Sequence, residues 1–322
     1  MISPGSFRFV ASPTVSAIGR SNFATSTSVL PRSQMVRGRD DIVDRSEVKS
    51  DRDPDRAEVR EQRTKVAEVL GRRLALPRGP RRERVQGSHR DYALCGAQTR
   101  ALATIGVFRA VAERDLQDSS PDDIRSVDLR HLKDQGLVMS ETIADASGTT
   151  RVLTLTSDGW NLLERHREPG LDGREQSYYA GVANARALGH DSQLYRMFIA
   201  EADRIIAEGG RVTRVVLGQE LHRDYQAFLR RNDSSRGDIG TERQTFADAN
   251  DLHVHRGQLE IPDIRLEYET ADGRLDYRDV ELLTEHYSRG QMAGKVSAGF
   301  VCYRASGDHS GTPAGPRRLR RL

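Results

Sequence analysis

The chain has 322 residues, 36% hydrophobic and 30% charged, and its 50 basic and 47 acidic side chains leave a net charge of +3. That balance excludes a global positive field, so any affinity for nucleic acid has to come from local patches. The two cysteines, Cys95 and Cys302, are far apart and support neither a disulfide framework nor a Cys-rich zinc site, and no apolar run approaches the roughly 20 residues of a membrane span. A protein without membrane contact in a reducing, cytoplasmic setting is expected, with a length that suits two domains plus unstructured ends.

The first 39 residues hold five Arg and no Asp or Glu. This composition resembles an organelle transit peptide. The reading adopted is a disordered tail or sequence upstream of the true start, with Met35 as an alternative start. From Asp40 to Arg63 acids and bases alternate with few large apolar side chains, too few to offset the entropy of ordering. A short helix over 66–76 and the basic linker "PRGPRRERVQGSHR" complete a charged region, 1–89, expected to be disordered. The tail 306–322, with "GTPAGPRRLRRL", is expected to be basic and disordered too.

Between 90 and 168 the pattern sharpens. Leu102, Ile105, Phe108 and Val111 recur at three-residue spacing and predict a helix. Ser120-Pro121-Asp122-Asp123 is a helix start, a capping hydroxyl followed by Pro and acids. The helix it opens carries Ile124, Val127, Leu129 and Leu132 inward and stops at Gly136 as a left-handed cap. "LVMSETI" and "RVLTLT" predict two strands around the turn "ADASGTT", and "SDGWNLLERH" a closing helix. Cys95 and Trp160 are expected in the core.

From 188 to 305 a capped helix, "DSQLYRMFIAEADRIIAEGG", precedes a β-branched run (Val212 to Leu217), a polar helix, and strands at "DLHVHRG", "LEIPDIRLEY", "YRDVELLTEHY" and "AGFVCYR". Hard oxygen ligands suit Mg²⁺, usually one or two carboxylates completed by water, and a nearby lysine offsets charge developing on a phosphate. Asp263 sits at a strand start. Asp279 and Glu281 share one face of the next strand, and Glu285 keeps that side if the strand runs straight. Glu220, on the preceding helix, is a further candidate ligand, and Lys295 the candidate lysine. His253 and His255 also share a strand face, without a third ligand at diagnostic spacing.

The order helix, helix, two-stranded wing, helix, with "LKDQGLV" and "LTLTSDGWNLL", resembles the winged helix-turn-helix family. That resemblance implies double-stranded DNA as partner, read by the third helix through Arg125, Arg130, His131 and Lys133, with Arg151 of the wing on a phosphate. A homodimer is compatible with that mode, although no residue pattern specifies one. The carboxylate order resembles the PD-(D/E)XK nuclease superfamily. With the winged helix it is similar to the replication-relaxation family of plasmids and other mobile elements, matching at Pro262-Asp263, Glu285, Arg289-Gly290, Lys295 and Tyr303. The implied fold is a winged helix-turn-helix (90–168) followed by a restriction-endonuclease-like α/β domain (188–305), α+β and α/β in class. The implied activity is Mg²⁺-dependent phosphodiester hydrolysis by Asp263, Glu281 or Glu285, and Lys295, with Asp263, Glu285 and Glu220 as metal ligands. The standard motif puts lysine two residues after the acid, where this chain has Leu283 or Tyr287. That departure keeps open a non-catalytic replication accessory factor or transcriptional regulator.

Overall fold

A computed structural model describes residues 68–117, 124–145, 148–170, 173–181, 188–232, 238–284, 287–304 and 317–318. Helices and strands are mixed. The Ser120–Asp123 cap and Glu285 lie outside the described residues.

Where the sequence reads as a linker, residues 83–94 form an antiparallel hairpin, β1 (Glu83–Gln86) with β2 (Asp91–Leu94). Its arginines point outward while Val85, Tyr92 and Leu94 are buried, and Leu70, Leu74 and Leu76 of the preceding segment join them. The expectation of disorder therefore fails for 68–89. A few apolar side chains among many arginines suffice here because they cover an existing core instead of building their own.

That core is centred on α1 (Gly96–Phe108), which is buried on nearly every side. Other elements surround it, so the polar Gln98, Thr99 and Thr104 are buried along with its apolar side chains. β3 (Val111–Ala112), α2 (Glu113–Gln117) and α3 (Ser126–Asp134) follow, then the hairpin β4 (Val138–Asp145) and β5 (Gly148–Leu155), and α4 (Ser157–Arg165). β5 is the middle strand of the sheet β3-β5-β4. Gly136 ends α3 with φ 68°, the left-handed conformation that favours glycine. The Leu-Thr-x-x-Gly pattern has a local cause: Thr156 caps α4 by accepting from Gly159 N (3.1 Å). A Cβ on Gly159 would lie 2.2 Å from the Leu137 carbonyl oxygen.

Two expectations are corrected here. Val127 is 55% exposed, since Leu129 and Leu132 take the inner face of α3 together with Asp128, which Arg82 and Arg125 neutralise at 2.8 Å each. Trp160 is 37% exposed, its ring held at the surface by a hydrogen bond from Nε1 to the Tyr178 carbonyl (3.0 Å).

The second sheet has the order β12-β11-β10-β9-β6. It contains β6 (Arg211–Leu217), β9 (Ile264–Glu269), β10 (Leu275–Leu283), β11 (Val301–Arg304) and β12 (Arg317–Arg318). Neighbours are antiparallel except β10 and β11, whose parallel pairing requires the crossover helix α8 (Arg289–Ser297). α5 (Leu188–Ala207) packs on β6, β9 and β10 through Phe198, Ala202 and Ile205. α6 (Gly218–Arg231), α7 (Ile239–Ala249) and the hairpin β7 (His253–His255) with β8 (Gln258–Glu260) form a separate cluster around Tyr225 and Phe246. The two segments are joined: Phe108 of α1 meets Tyr195 and Phe198 of α5, ring centroids 5.4 and 5.0 Å apart, and one apolar cluster runs from Leu70 to Tyr303. Gln176 adds a seam by pairing its amide with both backbone groups of Val215 (2.7 and 3.0 Å).

Candidate active site

Asp263 sits one residue before β9, where α6 begins. Gly218 N donates to the Asp263 carbonyl at 2.8 Å, and a Cβ on Gly218 would lie 2.2 Å from the Pro262 carbonyl oxygen. The start of β9 is thus clamped against the helix. It is clamped equally to β10 by two reciprocal bonds: Asp263 N donates to Glu281 Oε2 (3.1 Å), and Leu282 N donates to Asp263 Oδ2 (2.7 Å). Each carboxylate is oriented by the backbone of the other's strand.

Lys295 reaches this pair from α8. Its Nζ lies 3.2 Å from Glu281 Oε1 and 3.4 Å from Glu260 Oε2, and it donates to the Ile261 carbonyl at 2.7 Å. The helix can approach because position 294 is glycine, where a Cβ would stand 2.8 Å from Glu260 Oε1 and 3.3 Å from the His255 ring. Tyr287 Oη donates to Glu281 Oε1 at 2.6 Å. From α5, His190 places Nε2 3.4 Å from Asp263 Oδ2 and Nδ1 3.4 Å from Asp191 Oδ1.

The electrostatics follow from burial. Glu281 is 2% exposed, and burial together with the Asp263 charge pushes its carboxyl up to about 7 against the pull of Lys295 and Tyr287. Burial disfavours the His190 imidazolium, but Asp191 and Asp263 outweigh it and hold that group up at about 10. Burial and the Glu281 charge likewise push the Cys302 thiol up to about 11, so that cysteine is no nucleophile at neutral pH.

The sequence candidates divide sharply. Asp263, Glu281 and Lys295 converge. Glu220 does not join them; it is tied to Arg214 and accepts from Tyr179 Oη (3.1 Å). Asp279 shares the face of Glu281 but is taken by Arg265, bidentate at 2.7 and 2.8 Å, both side chains 7% exposed. Breaking a buried pair of this kind strands a charge. Arg265→Met is expected to cost about 3–5 kcal/mol, read as a lower urea midpoint, and Arg265→Met with Asp279→Leu to recover most of it. Tyr303 donates to Glu201 Oε1 (2.6 Å) within a buried network with Arg204 and Arg278, away from the carboxylates. Arg289-Gly290 opens α8 behind a Ser288–Gln291 capping box. Glu260, His190, Asp191 and Tyr287 were not foreseen. Glu260 stands three residues before Asp263 and was legible as an acid; the others arrive only through packing.

Among the basic candidates, Arg130 is exposed on α3. Arg125 pairs with Asp128, while Lys133 and Arg151 share Glu113 at 3.1 and 3.5 Å. The His131 ring faces the side-chain amides of Gln98 and Gln135 at 3.0 and 3.1 Å.

Among the described residues no group of three His, Cys, Asp or Glu is placed to hold a metal ion, and no helix is long and apolar enough to cross a membrane. The donor set of Asp263 and Glu281 still fits Mg²⁺. Both are hard oxygen ligands, two carboxylates are within its usual protein complement, and a cation would relieve the repulsion that raises Glu281. Comparisons with protein-family models, curated proteins and solved structures found no match.

Proposed function

We propose that this is a cytoplasmic DNA-binding protein of the replication-relaxation type, acting for a plasmid or other mobile element, and that the Asp263–Glu281–Lys295 centre hydrolyses phosphodiesters with Mg²⁺. The observation that carries the reading is the meeting of those three side chains, from a strand start, the next strand and the following helix, although lysine is missing from its standard place at Leu283. The helix order with the β4–β5 wing supports a winged helix as the duplex-holding part, with Arg130 exposed on α3 and Arg125, His131, Lys133 and Arg151 around it.

Asp263 and Glu281 would hold the ion, which when bound supplies charge neutralisation at the phosphate and a more acidic water. The protein's own groups do the rest. Lys295 brings a cation to within salt-bridge range of Glu281, where an oxyanion developing beside the carboxylates is stabilised. Tyr287 and the Asp263 N–H fix the Glu281 oxygens, and Leu282 N with His190 fixes Asp263.

The test is nicking of supercoiled plasmid by the full chain with Mg²⁺, beside Asp263→Asn, with a DNA gel shift on both. Nicking is expected to fall by about 10²–10³ in the variant and to stop with EDTA, while the gel shift persists. A second reading is a non-catalytic accessory factor or regulator. It is favoured by the three acceptors that already occupy Lys295. DNA binding without nicking by either protein selects it.

A further inference from the structure

One face of α6 is left uncovered along its length. The helix packs inward through Leu221 and Tyr225, with Phe228 and Leu229 beside them, against Phe246 of α7. At 3.6 residues per turn the opposite face carries Gln219, His222, Arg223, Gln226 and Arg230, and all five are exposed. No acid falls within that stripe. Glu220 is turned inward and buried. Asp224 lies to one side and pairs with Arg223 at 3.5 Å, but both side chains are more than half exposed, so the pair is weak and screened.

The stripe begins beside the carboxylate centre. Gly218 opens α6, and its N–H is the one that donates to the Asp263 carbonyl at 2.8 Å. A third arginine comes to the same end from the first half of the chain. Arg109 follows α1 with φ 64° and ψ −48°, and Ala110 N donates to the Phe108 carbonyl at 2.7 Å, which makes Arg109 the centre of a strained γ-turn. Such a turn persists only where its surroundings over-determine it. It lays the Arg109 guanidinium over the Tyr179 ring, 5.6 Å from the centroid, and lets it donate to Gln219 Oε1.

We propose that this stripe, with Arg109 at its head, is a track for the phosphate backbone of DNA that leads a strand to Asp263 and Glu281. Guanidinium forks suit phosphate oxygens, and glutamine amides donate to them as well. From Gln219 to Arg230 the helix rises about 16 Å, a length over which one strand of a duplex carries about five phosphates. No aliphatic or aromatic side chain interrupts the face, so it offers no apolar anchor for a protein partner. Contacts of this kind fix register and orientation without reading sequence; reading would stay with α3. The choice of DNA over another polyanion rests on the function proposed above, whereas the charge of the stripe does not.

The full chain is titrated with labelled duplex DNA over a salt series in EDTA, so that cleavage plays no part. Beside it stand Arg223→Gln with Arg230→Gln, Arg109→Gly, and Arg274→Gln. Arg274 is 81% exposed in the turn at the far end of β9 from Asp263 and serves as the control for loss of a surface charge. The arginine pair is expected to keep the melting temperature and to lower the slope of log K against log salt by about 1.8. Arg109→Gly relieves the turn, keeps or raises the melting temperature, and is expected to lower the slope by about 0.9. Arg274→Gln should leave the slope unchanged. DNA binding with the wild-type slope in both stripe variants overturns the track and leaves the proposed DNA binding standing. No DNA binding by the wild type overturns both. Labelled poly-aspartate is titrated in parallel: a slope lowered for it and not for DNA assigns the stripe to an acidic protein and overturns the proposal.

Discussion

Replacing Glu281 with glutamine is expected to cut Mg²⁺-dependent nicking by about 10²–10³ while making the folded protein more stable at pH 8. The two effects share one cause. Glu281 is buried beside Asp263, and its carboxyl is raised from 4.5 to about 7. A carboxyl raised by folding contributes stability that is fully present below its unfolded value and lost as pH rises through its folded value. The window here runs from about pH 4.5 to about pH 7, and the ionised group costs about 3 kcal/mol above it. Glutamine imitates the protonated form and escapes that cost. It offers one acceptor where Tyr287 and the Asp263 N–H use two, which offsets about 1 kcal/mol. The net gain expected at pH 8 in EDTA is about 1–2 kcal/mol, fading toward pH 4. Urea melts of both proteins at the two pH values measure it. A structural acid with the same raised carboxyl would give the same stability change and leave nicking alone, so the nicking assay is the readout that separates the two. On the proposed function, a cation held by Asp263 and Glu281 would offset that cost.

Much of this centre was legible in the sequence because its chemistry is written at strand boundaries. Pro262-Asp263 marks a strand start, and the alternation of Asp279 with Glu281 puts both acids on one face. Alternation does not say which acid is free. Asp279 is consumed by Arg265, and that pairing depends on the register that sets Arg265 opposite Asp279 across β9 and β10. The competition between Glu281 and Glu285 was open for a similar reason: only the β9–β10 clasp, in which Asp263 N and Leu282 N exchange bonds with the two carboxylates, selects Glu281 as Asp263's neighbour among the described residues. Lys295 was found through a resemblance and not through spacing, since a residue on a crossover helix has no fixed offset from a strand.

In the first half of the described chain, the helix stripe of Leu102, Ile105 and Phe108 and the Gly136 stop follow local rules and were readable, whereas Val111, counted in the same stripe, lies in β3 because the helix ends at Phe108. The exposure of Val127 was not readable, because the inward Asp128 is neutralised by Arg125 together with Arg82, and Arg82 comes from a segment that composition assigns to disorder. Segments dominated by arginine hide their few anchors. Gln176 illustrates the other kind of hidden contact, a polar side chain standing in for a strand at the edge of β6, which no periodicity encodes.

Removing residues 1–89 is therefore expected to unfold the protein, although its sequence marks that region as expendable. Leu70 and Leu74 are almost fully buried, Leu76 and Val85 nearly so, and all four belong to the main apolar cluster. Burying one such side chain contributes about 1.5–3 kcal/mol, so the four together match the roughly 5–15 kcal/mol that holds an ordinary domain. The cut also strips β2 of its partner strand and removes two bonds to the end of α4, Ala75 N to the His166 carbonyl and Glu168 N to the Arg73 carbonyl, both 2.8 Å. A chain of residues 90–322 should show no cooperative thermal transition, or one lowered by tens of degrees. Leu74→Ala in the full chain gives the graded version, a loss of about 2–5 kcal/mol. If 90–322 melted as the full chain does, the N-terminal segment would be an accessory to the fold and not part of its core. Nicking assays on fragments starting near residue 90 would then be informative; on the packing described they report an unfolded chain, and their silence says nothing about Asp263 and Glu281.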